Sequence, residues 1–202
     1  MILVYDTETT GLPDFKLPAD DPRQPRMIQL AFALYDRPDK LVLEECHLIK
    51  PDGWKMPREL ADKLGHGLTQ ERLEREGKPV KEVLEAFNLK RDRATLLAAY
   101  GIRFDQKILR GELRRGGFPD RYAETPEYCV MRAATPLCKM PPTDAMMAAG
   151  RCSYKTPKLT EAARIILGVE HVGAHDALAD VRMTARLYFH ITFHTKGLEK
   201  SA

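Results

Sequence analysis

Residues 2–11, ILVYDTETTG, decide the fold. The run 2–6 (ILVYD) is short, apolar and β-branched, which suits a buried strand. Side chains on a strand alternate between faces, so Asp6 and Glu8 point the same way at the strand's carboxyl end. Ligand sites in open α/β sheets gather at such ends. Two carboxylates on one face repel each other unless a cation lies between them. The plainer alternative is a solvated strand terminus carrying two surface acids.

Outward from this strand, residues 13–26 contain four prolines and must form a surface loop. MIQLAFALYD (27–36) and LVLEECHLI (41–49) are strand patterns joined by RPDK, a turn sequence, and predict an antiparallel hairpin. Helices are expected at 57–64, with Pro57 in first position, and at 79–89. TLLAAY (95–100) predicts a further buried strand, followed by a helix from about Asp105 to Arg115 that Gly116 and Gly117 close. A short strand is expected at 127–131 and a helix near 158–167, ending at Gly168. A long helix runs from about Asp176 to His194, where Leu178, Val181, Ala185 and Tyr188 form a core-facing stripe. Three strands, a helical stretch, then strand, helix, strand and helices imply an α/β fold with a mixed sheet.

Composition sets the outer bounds. The chain has 202 residues, 44% hydrophobic and 30% charged, which excludes a disordered or collagen-like chain and fits one compact domain. No apolar run is long enough for a membrane span, and the amino terminus does not read as a signal peptide. Cys46, Cys129, Cys138 and Cys152 form no CxxC pair, so they are expected to be reduced thiols of a cytoplasmic protein. A net charge of +3 excludes a wholly basic coat and leaves room for local contacts with nucleic acid.

Two more elements carry acids at comparable boundaries. Asp105 follows the strand 95–100 and opens a helix, where an acid is also favoured by capping and by the helix dipole. His175-Asp176-Ala177-Leu178-Ala179-Asp180 opens the last helix, and its two small residues leave room for another element. His171 and His175, like His190 and His194, are four apart. Without a well-placed third ligand they read as surface or packing residues rather than a structural zinc site.

Together, DTETTG at 6–11, FD at 104–105 and HDALAD at 175–180 resemble, in order, the three signatures of the DEDDh (DnaQ-like) 3′–5′ exonucleases, a family with a ribonuclease-H-like fold. HGLTQERLEREGKPVKEVLEAF (66–87) and TPKLTEAARIILGV (156–169) resemble the stretches between those signatures, so the likeness covers nearly the whole chain. It implies one exonuclease domain over 1–195 with a tail at 196–202, built on a mixed five-stranded sheet flanked by helices. One departure stands out: Tyr100 and Gly101 occupy positions where the family commonly has His-Asn.

The resemblance also assigns roles. Asp6, Glu8, Asp105 and Asp180 would hold two divalent ions, Mg²⁺ or Mn²⁺, which suit all-carboxylate sites. Such a pair clamps the attacking and leaving oxygens of a phosphodiester, and His175 would be the general base. Thr9, Thr10, Gly11 and Leu12 would line the terminal-nucleotide pocket. Phe104 and His66 are candidates for packing on its sugar or base. Residues 131–168 hold six basic residues against two acids, and Arg132, Lys155 and Lys158 are candidate phosphate contacts. The implied substrate is a single-stranded or frayed 3′ end of DNA, with short RNA as the alternative. A DNA polymerase partner, or a catalytically silent polymerase-docking module, completes the range.

Overall fold

The computed structural model describes residues 1–38, 40–60, 67–121 and 124–198, with side chains up to 193. Its sheet comprises β1 (Ile2–Thr9), β2 (Met27–Arg37), β3 (Lys40–Leu48), β4 (Leu96–Ala99) and β5 (Glu127–Cys129), ordered β3-β2-β1-β4-β5. β1 pairs antiparallel with β2, and β2 with β3, whereas β4 and β5 run parallel to β1. This is the mixed five-stranded sheet with a hairpin on one side that the sequence predicts.

Helices cover both faces. α1 (Gln70–Glu76), α2 (Val80–Arg91) and α3 (Ile102–Arg115) precede β5. α4 (Val130–Cys138), α5 (Asp144–Ala148), α6 (Leu159–Ala162), a π turn at Ala163–Leu167 and α7 (Ala177–Leu198) follow it. Among the described residues no helix is long and apolar enough to cross a membrane.

The alternation along β1 sorts the two cores. Leu3 and Tyr5 face α2 and α3, packing with Phe32, Phe87, Ile108 and Leu109. Tyr5, Phe32 and Phe87 meet edge to face, with Phe87 centred 5.7 Å from Tyr5 and 5.6 Å from Phe32. The opposite face offers the small residues Val4, Ala31, Ala33 and Ala98 to Ala177, Val181 and Ala185 of α7. Short side chains on both partners let α7 lie close over β1, which carries Asp180 toward the end of that strand.

Several boundaries differ from the sequence reading. α3 begins at Ile102, so Asp105 sits within its first turn instead of opening it. The strand expected at 127–131 stops at Cys129 and turns into α4, whose Pro136 made a helix hard to read there. Within 57–64, residues 58–60 are helical, and 61–64, with His66, lie outside the described residues. α7 continues to Leu198, past the helix end expected near His194.

The proline-rich segment 13–26 is a fixed plate, not a free loop. Gln24, 5% exposed, accepts from the Asp14 amide and donates to the Asp14 and Pro18 carbonyls. Lys107 and Arg115 of α3 donate to the carbonyls of Leu17 and Asp21. Gly111 permits this docking, because a Cβ there would lie 2.4 Å from the Ala19 carbonyl oxygen.

Candidate active site

Asp6 and Glu8 continue the Val4 face of β1, toward α7, while Thr7 points to α3. Thr7 receives Asp105 there: its amide and its Oγ1 both donate to Asp105 Oδ1, at 3.0 and 2.9 Å. An irregular register between Glu8 and Thr9 ends regular pairing at the same place. From the other side, Asp180 enters in the first turn of α7. Ligand atoms of Glu8, His175 and Asp180 all lie within 4.8 Å of one another. The five residues singled out in the sequence therefore meet at the carboxyl end of β1.

The electrostatics of this cluster are one-sided. Burial pushes the Asp6 carboxyl well above the usual range, and repulsion from Asp105, Asp180 and Glu8 adds to the shift. Glu8 rises to about 8, by burial first and then by Asp180 and Asp105. Asp105 rises to about 7 through burial, although its two bonds from Thr7 pull the other way. Burial also raises Asp180, against the pull of His171 and His175. Hard oxygen donors crowded until they resist ionisation fit divalent cations, which would neutralise them. The donor set present thus fits the ions that the resemblance implies.

His175 sits exposed at φ 71°, a left-handed backbone uncommon outside glycine. Its amide lies 3.4 Å from Asp180 Oδ2, and Asp180 Oδ1 is 2.5 Å from Nε2 of His171. The His171 side chain is only 2% exposed. Of the two readings of His171, surface or packing, burial selects packing, and the contact adds a partner: the loop before α7 folds back and seals it against Asp180.

A pocket of about 380 Å³ adjoins the cluster, lined by Glu8, Thr9, Thr10, Gly11, Leu12 and Phe104, with Pro57 and Leu60 opposite. The Thr10 amide and hydroxyl are both engaged by Arg26, so Thr10 shapes the wall through the strand entry. Leu12 is 87% exposed at the rim. Elsewhere on the surface the Arg103 guanidinium lies 5.5 Å from the centre of the exposed Phe15 ring.

A second groove, about 720 Å³, opens at the carboxyl ends of β4 and β5, lined by Gly101, Arg103, Met131, Arg132 and Tyr154. Arg132 is exposed there, as is Lys158 nearby. Lys155 is already held by both oxygens of Glu161, at 2.7 and 2.9 Å. Tyr100, one of the departures from the motif, donates its hydroxyl to the Pro157 carbonyl at 2.8 Å and ties this stretch to β4.

Sequence reasoning missed three supporting residues. Thr7 was passed over between two acids. Gln29 faces Glu8 across β1–β2, accepting from the Ala177 amide at 3.3 Å and donating to Cys46. A glutamine inside the apolar run MIQLAF was a legible signal, since a buried amide needs partners. His171 carried no such signal, because its partner is nine residues away across a turn.

The model of the RNase T family, described as Exonuclease, matches residues 3–188. The chain belongs to this exonuclease family. No curated protein sequence matches it. Among solved structures, E. coli exonuclease I in complex with a dT13 oligonucleotide is similar at 19% identity and a TM-score of 0.72, covering 99% of this chain and 42% of that one. The zinc-ion-bound form of the E. coli ExoI–ssDNA complex is similar at 19% identity and a TM-score of 0.71, covering 98% and 41%. An ExoI/SSB-Ct complex is similar at 18% identity and a TM-score of 0.69, covering 98% and 42%. This exonuclease-family chain shares their ribonuclease-H-like fold, with its open mixed sheet flanked by helices, and spans about two fifths of their length.

Proposed function

We propose that this domain is a divalent-metal-dependent 3′–5′ exonuclease that releases nucleoside 5′-monophosphates from DNA, preferring single-stranded 3′ ends. The supporting observation is the convergence of Asp6, Glu8, Asp105, His175 and Asp180 beside a pocket of nucleotide size. We take 1–195 as the working domain and 196–202 as its tail.

In this reading Asp6, Glu8, Asp105 and Asp180 hold Mg²⁺ or Mn²⁺. Such ions, when bound, polarise the scissile phosphate and lower the pKa of the attacking water. Thr7 keeps one Asp105 oxygen fixed by two hydrogen bonds, so that carboxylate needs little reorganisation to bind. His175 takes the proton of the attacking water on its ring nitrogen and, being exposed, passes it to solvent. Leu12 and Phe104 hold the terminal base and sugar between them, while Thr9 and Gly11 form the floor. The strand leaves past Arg103, Arg132 and Tyr154, where cations meet phosphates and the ring stacks on a base.

The test uses 5′-labelled single-stranded DNA, the same sequence as RNA, and a recessed duplex, each with Mg²⁺, Mn²⁺ or chelator. Stepwise shortening from the 3′ end, with mononucleotide 5′-phosphates as product, is expected on DNA with either metal and absent in chelator. Activity that persists in chelator refutes the metal requirement. Faster turnover of RNA would replace DNA with short RNA as the substrate.

A further inference from the structure

The loop ahead of α7 makes a contact that the five-residue cluster does not account for. His171 Nε2 lies 2.5 Å from Asp180 Oδ1, and the His171 side chain is 2% exposed. The backbone is built to bring them together. Gly173 turns at φ 82°, and a Cβ there would lie 3.3 Å from Ala179, so loop and helix touch where both residues are small. Asp176 accepts from the Ala179 amide at 3.0 Å and donates its own amide to the Gly173 carbonyl at 3.0 Å, closing the turn over the helix start. Asp180 is thus gripped on Oδ1, while Oδ2 lies 3.4 Å from the His175 amide, and the carboxylate stands within 4.8 Å of Glu8 and His175 ligand atoms.

We infer that His171 is a positioning residue that orients the Asp180 carboxylate for a divalent ion, donating from Nε2 to Oδ1 and leaving Oδ2 to face the ion. An unrestrained carboxylate rotates about its last torsion, and a ligand that must find its angle binds more weakly than one already held. The burial of His171 strengthens the bond, since little water reaches its side of the contact. The role belongs to His171, not His175, because His175 is exposed and approaches Asp180 through its backbone amide.

The inference rests on the metal-dependent reading, and its test separates the two. Mn²⁺ affinity is measured on the full chain by electron paramagnetic resonance, alongside the Mn²⁺ dependence of activity. His171→Leu fills the site without a donor, whereas His171→Gln keeps a side-chain N–H at similar reach. His171→Leu is expected to weaken Mn²⁺ binding about 10- to 100-fold, the usual cost of losing such a partner, and His171→Gln to recover most of it. A His171→Leu chain that binds Mn²⁺ as tightly as the native one overturns the inference. So does equal loss in both variants, which would make the role one of packing. A native chain that binds no Mn²⁺ overturns the metal-dependent reading and this inference with it.

If His171→Leu does not fold, ¹⁵N-histidine spectra of the native chain decide. The proton on His171 Nε2 is expected to stay in place, slow to exchange, when Mg²⁺ is added. Its loss on metal binding would make His171 a ligand and overturn the positioning role.

Discussion

Removing divalent ions should make the folded chain less stable as pH rises. Glu8 titrates near 4.5 unfolded and at about 8 in place, raised by burial and by Asp180 and Asp105. Between those values the folded chain holds a proton that the unfolded chain has released. The resulting stability is complete below the unfolded pKa and is lost as pH climbs through the folded one. At about 1.36 kcal/mol per pH unit, the Glu8 interval corresponds to roughly 5 kcal/mol. Asp6, Asp105 and Asp180 shift the same way, but these neighbours share protons, so the cluster as a whole stays at that order. Carboxylates held low by partners, such as Asp21, Glu44 and Glu161, act only at acidic pH, where they begin to protonate.

For a chain of this length, roughly 2–4 °C of melting temperature go with each kcal/mol. In chelator the midpoint should therefore fall by roughly 10 °C between about pH 5.5 and 8.5. Excess Mn²⁺ should restore it mainly at the upper end, where the acids are ready to bind. Scanning calorimetry across that range, with and without Mn²⁺, measures the effect, and Glu8→Gln should flatten the profile. A metal-free midpoint that holds or rises with pH would refute the reasoning, as would equal Mn²⁺ stabilisation at both ends.

Three further outcomes follow from other parts of the structure. Glu112 is 1% exposed, accepts from Arg26 and the Met27 amide, and pairs with Arg115. Glu112→Ala strands two half-buried guanidinium groups and should cost about 3 kcal/mol in urea denaturation. Gly111→Ala drives a methyl against the Ala19 carbonyl and should cost roughly 1–3 kcal/mol, with faster proteolysis confined to 13–26. His175→Ala should lower kcat by about 10²- to 10⁴-fold. His175→Gly should lose as much activity yet be more stable than the alanine variant by about 1 kcal/mol, because φ 71° suits glycine; a less stable glycine variant would contradict the strain.

Much of the fold was legible because its signals are local. The alternation in 2–11 aligns Asp6 with Glu8, the RPDK turn predicts the hairpin, and Gly116 and Gly168 mark helix ends that the structure keeps. Residues 130–138 were not legible as a helix, since a proline inside nine residues masks the pattern. The plate at 13–26 reads only as loop, because what pins it is Gln24 and a glycine on a helix some ninety residues away.

By itself the sequence determined that three segments each place an acid at a strand end or a helix start and that their order resembles one exonuclease family. That information is local, carried by strand alternation and helix ends. Only the tertiary structure decided that these acids meet. Thr7 and Asp105 are 98 positions apart, and Asp180 reaches β1 because alanines on sheet and helix permit close approach. Charges so near one another raise each other's pKa, and that mutual effect is a property of distance in space that no single segment encodes.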